Sequence, residues 1–218
     1  MQGDAQRIRR PRARAMRDFR RSLIIEAARR VFAERGLAGA SLRTIATAAG
    51  CTTGAIYPYF SGKEEIYAEI LSESLDTLRL GMEQRVAEAA DDPSRLQGAA
   101  AAFLDYYLQR PVEIGLSLYL FDGVRPTGLT PQLNRELNGK LMAAIRIIEG
   151  LICRIAGGMT GEEERNEGAM LFSYLMGLTI VHHTGRTRVV ERTSPQLLTR
   201  HMGHLIERLQ QAAQSQHC

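Results

Sequence analysis

The stretch from Ser41 to Lys63, SLRTIATAAGCTTGAIYPYFSGK, constrains this chain more than any other. It reads as two short helices joined by a glycine-containing corner and running into a third. Ser41 suits an N-cap, because its hydroxyl can accept a hydrogen bond from an orphan amide of the first turn. Leu42, Ile45, Ala46 and Ala49 recur at helical spacing and give one apolar face. Gly50 follows, where a left-handed residue would end that helix. Cys51 is a small apolar plug for the corner, and Thr52 a cap for the next helix. Thr53, Gly54 and Ala55 are small, so the backbone there can approach a surface closely. Ile56 and Phe60, four apart, are expected to face inward, with Tyr57, Pro58 and Tyr59 on or near the outer side. Ser61 and Glu64 have the spacing of a capping box for the third helix. The whole is a helix-turn-helix layout, in which the second helix enters the DNA major groove. Pro58 disturbs it. Proline has no N–H to bond the carbonyl of Gly54, so a short, kinked or early-ending second helix is expected.

Charge points the same way. The formal net charge is +4, yet residues 1–21 hold eight arginines against Asp4 and Asp18, so the rest of the chain is slightly acidic. Such an arm, expected to be flexible, attracts phosphates by counterion release without reading sequence. Its arginines can also enter a narrow minor groove. The alternative is a solvated leader that only aids solubility. Hydrophobic residues make up 44% of the chain, enough for a core. No apolar run approaches the ~18 residues of a membrane span, and the arginine-rich start lacks the apolar stretch of a signal peptide. A cytoplasmic location is the expectation. Cys51, Cys153 and Cys218 are too far apart for a metal cluster and odd in number for a disulfide framework. Three reduced thiols are expected, two of them in helix packing.

Helical periodicity continues to the end, which makes the fold class all-α. A first helix is expected from about Ser22 to Arg35, burying Ile24, Ala28, Val31 and Phe32 and ending at Gly36. A long helix runs from Lys63 toward Ala89. Asp92-Pro93-Ser94 opens a helix that reaches Arg110, and Pro111 starts a short one. Residues 122–129 read as a loop. Thr130-Pro131 begins another helix, and Thr160 with Glu163 forms a capping box for the next. Ser194-Pro195 opens the last, with Leu198, Met202, Leu205 and Leu209 along one side.

Arg43, Ile45, Ala46, Ala49, Gly50, Gly54, Ile56, Tyr57, Tyr59, Phe60, Lys63 and Glu64 fall on the signature of the TetR family of bacterial transcriptional regulators, which this stretch resembles. Cys51 departs from the family's usual Val or Ile, Thr52 from its Ser, and Pro58 is foreign to it. The resemblance implies an arm over residues 1–21 and a three-helix helix-turn-helix DNA-binding domain over 22–68. A helical effector-binding and dimerisation domain would occupy 69–218. It maps DNA contact onto Arg43, Thr53, Gly54, Ala55, Tyr57, Tyr59 and Lys63. Arg43 and Thr53 have the chemistry for a phosphate or base edge. The Ala55 methyl suits a thymine methyl, and the two tyrosine hydroxyls and Lys63 suit phosphates. Tyr57 has the alternative of packing against the first helix.

The same resemblance implies that the last two helices pair with a twin, so that a homodimer reads a palindromic operator in double-stranded DNA. It further implies a small, largely apolar effector that releases a repressor from that operator. Phe103, Tyr107, Tyr119, Phe121, Phe172, Tyr174, Met176 and His182 are the candidates for holding it, with plain core packing as the alternative for each. His182 and His183, being adjacent, point about 100° apart on a helix, and nothing nearby completes a metal site. No metal, cofactor or membrane partner is expected. Two other readings stand beside the repressor. One is a DNA-binding protein of the same fold without an effector, constitutive or controlled by a protein partner. The other is an α-helical enzyme, for which the chain offers no G-x-S-x-G, phosphate loop or metal spacing.

Overall fold

The computed structural model describes the backbone of residues 2–119, 129–157 and 159–215, and side chains within 14–117, 129–157 and 159–214. The elements are α1 (Gln2–Gly39), α2 (Leu42–Ala48), a 3-10 turn (Thr53–Ala55), α3 (Lys63–Glu88), α4 (Asp92–Leu108), α5 (Pro111–Tyr119), α6 (Pro131–Ala156), α7 (Gly161–His183), a second 3-10 turn (Arg186–Arg188) and α8 (Ser194–Ser215). No strand occurs among the described residues, as the all-α pattern requires. Two compact units result: residues 1–71 with 115–133, and residues 72–114 with 134–218. The boundary near the expected end of the DNA-binding domain lies at Leu71, inside α3. Residues 115–133, expected in the second domain, join the first unit.

In the first unit α1 begins at Gln2 rather than near Ser22, so the arm expected to be flexible is part of the helix. Arg, Ala, Gln and Met dominate residues 5–17 and are strong helix formers, although Pro11 withholds one backbone N–H from the span. Two arm arginines also find partners on the unit. Arg17 donates to the Pro58 carbonyl at 3.4 Å and lies over the Tyr59 ring at 5.9 Å. Arg21 pairs with Glu69 at 2.5 Å and covers the Phe60 ring at 5.1 Å. Ile24, Ile25, Ala27, Ala28, Val31 and Phe32 form the buried stripe of α1, which packs on α2. Gly36, at φ 65°, breaks the helix where its end was expected, and Leu37–Gly39 resume it. Tyr67 of α3 is fully buried, meets Phe32 edge-on at 6.2 Å and donates its hydroxyl to the Leu116 carbonyl of α5.

In the second unit α4 packs on α7 and α8, and α7 on α8. Leu96, Phe103, Tyr107, Leu171, Leu175, Met202 and Leu209 are among its buried side chains. The Thr160 capping box forms: the Glu163 carboxylate accepts from the Thr160 amide at 2.9 Å. That bond holds the Glu163 carboxyl below its ordinary range. Thr130 caps α6. The cap of α4 is Asp91, just ahead of the Asp92-Pro93-Ser94 opening, accepting from the Ser94 amide at 2.8 Å. Cys153 is exposed on α6 instead of packed. Its thiol, bonded to the Glu164 carboxylate, is pushed up in pKa.

Candidate nucleic-acid interface

Helix α2 is fixed at both ends by its own sequence. Ser41 and Thr44 cap each other reciprocally: Ser41 Oγ accepts from the Thr44 amide at 3.1 Å, and Thr44 Oγ1 from the Ser41 amide at 3.0 Å. At the far end Gly50 takes φ 67°. Its amide bonds the Thr47 carbonyl at 3.2 Å, and the Cys51 amide bonds the Ala46 carbonyl at 2.9 Å. These two bonds make a Schellman ending, which satisfies carbonyls the helix would leave open and turns the chain sharply. A Cβ at Gly50 would meet nothing within 4 Å. Alanine there is therefore strained only by its left-handed backbone, and Gly50→Ala is expected to lower stability by about 1–2 kcal/mol, readable in the denaturant midpoint of the purified protein.

Beyond the corner the second helix of the pattern is not an α-helix. Residues 53–60, the expected reading segment, form the 3-10 turn and then successive turns. Ala55 N–H bonds the Thr52 carbonyl at 2.9 Å and Ile56 N–H that of Thr53 at 3.1 Å. Tyr59 and Phe60 both draw on the Ile56 carbonyl, at 2.8 and 3.1 Å. Pro58 explains the change, since an α-helix needs the N–H it lacks. Thr52 makes no side-chain cap bond, contrary to expectation, although its carbonyl accepts the first bond of the tight turn. Ser61 pairs with Glu65, not Glu64: its hydroxyl donates to Glu65 Oε2 at 2.8 Å and its amide at 2.7 Å. Helix α3 starts at Lys63, so Glu65 holds the third helical position and reaches back.

The side chains divide into a buried underside and an exposed set. Ile56 and Phe60 are buried as expected. Arg43, Gly54, Ala55 and Tyr57 are exposed, while Thr53 and Tyr59 are half-buried. Tyr57, 59% exposed, does not pack against α1. Lys63, expected to meet a phosphate, has protein partners here. Its ammonium donates to the Leu37 carbonyl at 2.8 Å and the Ala40 carbonyl at 2.9 Å, on a half-buried side chain. Cys51 does not plug a closed corner: it is half-buried and borders a cleft of about 360 Å³ between Leu23 of α1 and Pro58. Arg17 and Arg21 were legible only as charge. Their inward contacts with Tyr59, Phe60 and Glu69 have no signal in the sequence beyond the helical spacing of four.

The effector candidates fall into separate environments. Phe103 and Tyr107 are buried with ring centroids 5.1 Å apart, and Phe172 stands edge-on to Phe103 at 6.0 Å. Tyr174 donates to the Leu197 carbonyl at 3.1 Å and stacks on His201 at 4.0 Å. Burial raises the Tyr174 pKa and lowers that of His201. Met176 is half-buried and His182 exposed. His183 bonds the Tyr107 carbonyl at 2.8 Å. The Tyr119 side chain and all of Phe121 lie outside the described residues. Among the described residues no cluster of three His, Cys, Asp or Glu is placed to hold a metal, and no helix is long and apolar enough to cross a membrane.

Set against known families, residues 24–70 match the sequence model of the bacterial regulatory proteins of the tetR family. The chain belongs to the TetR family. The matched span runs from buried Ile24 of α1 through α2 and the corner to buried Ile70 of α3, and omits the arm. The HTH-type transcriptional activator FasR of Mycolicibacterium smegmatis is 37% identical over 93 residues, covering 43% of this chain and 42% of FasR. The repressor KstR2 of Mycobacterium tuberculosis is 40% identical over 79 residues, covering 36% of this chain and 40% of KstR2. These alignments thus span less than half the length of either relative. A putative transcriptional regulator from Pseudomonas aeruginosa PAO1 shares the fold with a TM-score of 0.73 at 20% identity, over 91% of this TetR-family chain and 94% of its own. FadR from Bacillus subtilis, in complex with stearoyl-CoA, does so with a TM-score of 0.64 at 22% identity, over 88% and 98%.

Proposed function

We propose that this chain is a DNA-binding transcriptional regulator acting as a homodimeric repressor, released from a palindromic operator by a small, largely apolar effector. The carrying observation is the rigidly capped corner with Arg43, Gly54, Ala55 and Tyr57 exposed around it and Ile56 and Phe60 buried beneath. That division leaves small residues for close approach and polar groups for phosphates and base edges. Thr53 and Tyr59 complete the reading set, and the exposed arm residues Arg14 and Arg20 add phosphate attraction. Pairing through α7 and α8 accounts for Met170 and Ile180, large apolar side chains exposed on α7 at 54% and 38%. Ser173 and Gly177 would let the twin's helix approach closely. Two-fold pairing would set two reading segments at the spacing a palindrome needs.

The test is selection of bound fragments from a genomic library, followed by fluorescence anisotropy at several salt concentrations and light scattering of the free protein. A dimer mass and steeply salt-dependent binding to a palindrome are expected. Arg43→Ala is expected to weaken binding at least tenfold, the scale of a good charge-assisted contact. Stearoyl-CoA is the first effector probe, and displacement of the bound fragment is the expected response. A monomer that retains no fragment at low salt would overturn the reading.

A further inference from the structure

We infer that Lys63 is a positioning residue that locks the reading segment to the start of α2, and is not a phosphate contact. The inference rests on the proposed DNA-reading role and changes what one of its residues does. Leu37 and Ala40, whose carbonyls receive the ammonium, are 2% and 4% exposed. They lie at the end of α1, where the negative end of the dipole attracts a cation; the Leu37 carbonyl also accepts from the Ala40 amide at 3.3 Å. An ammonium has three N–H groups, and protein carbonyls hold two of them here.

The location gives the bond its meaning. Ala40 directly precedes Ser41, the cap on which α2 is built. Lys63 is the first residue of α3 and follows the reading segment within three residues. One side chain therefore joins the entry to α2 with the exit from residues 53–60. The Schellman ending at Gly50 holds the corner between them, and Ser61 with Glu65 holds the exit itself. A reading segment made of turns has few backbone bonds of its own, so its placement depends on these outside ties. Turning Lys63 outward to a phosphate would give up two charge-assisted bonds at a half-buried site, a poor exchange for one solvent-screened contact.

The chain has two lysines, Lys63 and Lys140, which makes the experiment direct. In full-length protein labelled with 15N-lysine, the Lys63 ammonium signal should exchange slowly with water. It should remain slow when a selected DNA fragment is added, with Lys140 as the reference. In Lys63→Met, the amides of Thr44 and Ile45 should exchange with solvent about tenfold faster in the free protein, and DNA affinity should fall about tenfold, the scale of losing such bonds. The slope of log affinity against log salt should not change. A phosphate contact predicts the opposite pattern: normal amide exchange and a slope reduced by about one. That result, or a Lys63 signal that exchanges quickly or shifts on DNA, overturns the inference. The lysine signal in unsubstituted free protein decides whether the lock exists even if the variant folds poorly. A wild-type protein that binds no DNA overturns the positioning role together with the reading beneath it, whereas a fast-exchanging Lys63 in a DNA-binding protein overturns the lock alone.

Discussion

Phe60→Ala should destabilise the first unit by about 3–5 kcal/mol, the usual cost of removing a buried phenyl ring. Phe60 is 1% exposed, at the end of the reading segment, with the Arg21 guanidinium over its face. Its loss would leave a cavity beneath the Arg21 guanidinium and remove its ring contact, leaving the pair with Glu69 in place. A single domain holds only about 5–15 kcal/mol in total, so the variant should be partly unfolded near body temperature. Denaturant unfolding followed by circular dichroism checks the loss. DNA binding is expected to vanish with it. An unchanged midpoint would mean that the segment is not packed as described.

The second large effect is expected at Phe103, where alanine should also cost about 3–5 kcal/mol. The measurement separates two roles that look alike in the sequence. Phe103 is 1% exposed and packs against Tyr107 and Phe172 within aromatic contact distance. A residue that closes such a cluster is a core residue first. If it merely lined a roomy effector site, deletion would cost nearer 1 kcal/mol and chiefly alter the response to an acyl probe. Thermal melting with and without stearoyl-CoA reads both quantities in one series.

Much of this architecture was legible because it is local. Ser41, Gly50, Thr130 and Thr160 each act on residues within a turn or so, and their caps and corner are where short-range chemistry puts them. Ile56 and Phe60 follow from spacing alone. The errors arise where distant residues decide. Nothing near Lys63 in sequence reveals that carbonyls 26 and 23 residues away take its ammonium. Glu65 displaced Glu64 because α3 starts one residue later than the serine pattern suggests. The helical arm was not expected because its eight arginines signal charge first, although arginine is also a good helix former and two of them have partners on the unit. Proline at position 58 was the informative exception: its effect on the reading segment follows from one missing hydrogen.

The helical arm has a consequence in length. A helix advances about 1.5 Å per residue, so the twenty residues from Gln2 to Arg21 make a rod about 30 Å long. Stacked base pairs advance about 3.4 Å, which sets the rod equal to about nine steps of duplex. An unstructured tail of the same composition could wander farther yet would hold no charge at a set station. On the proposed reading, a helical arm spaces its arginine positions at a fixed rise along one axis. The mark it sets at its inner end, Arg17 on the Pro58 carbonyl, measures outward from the reading segment itself.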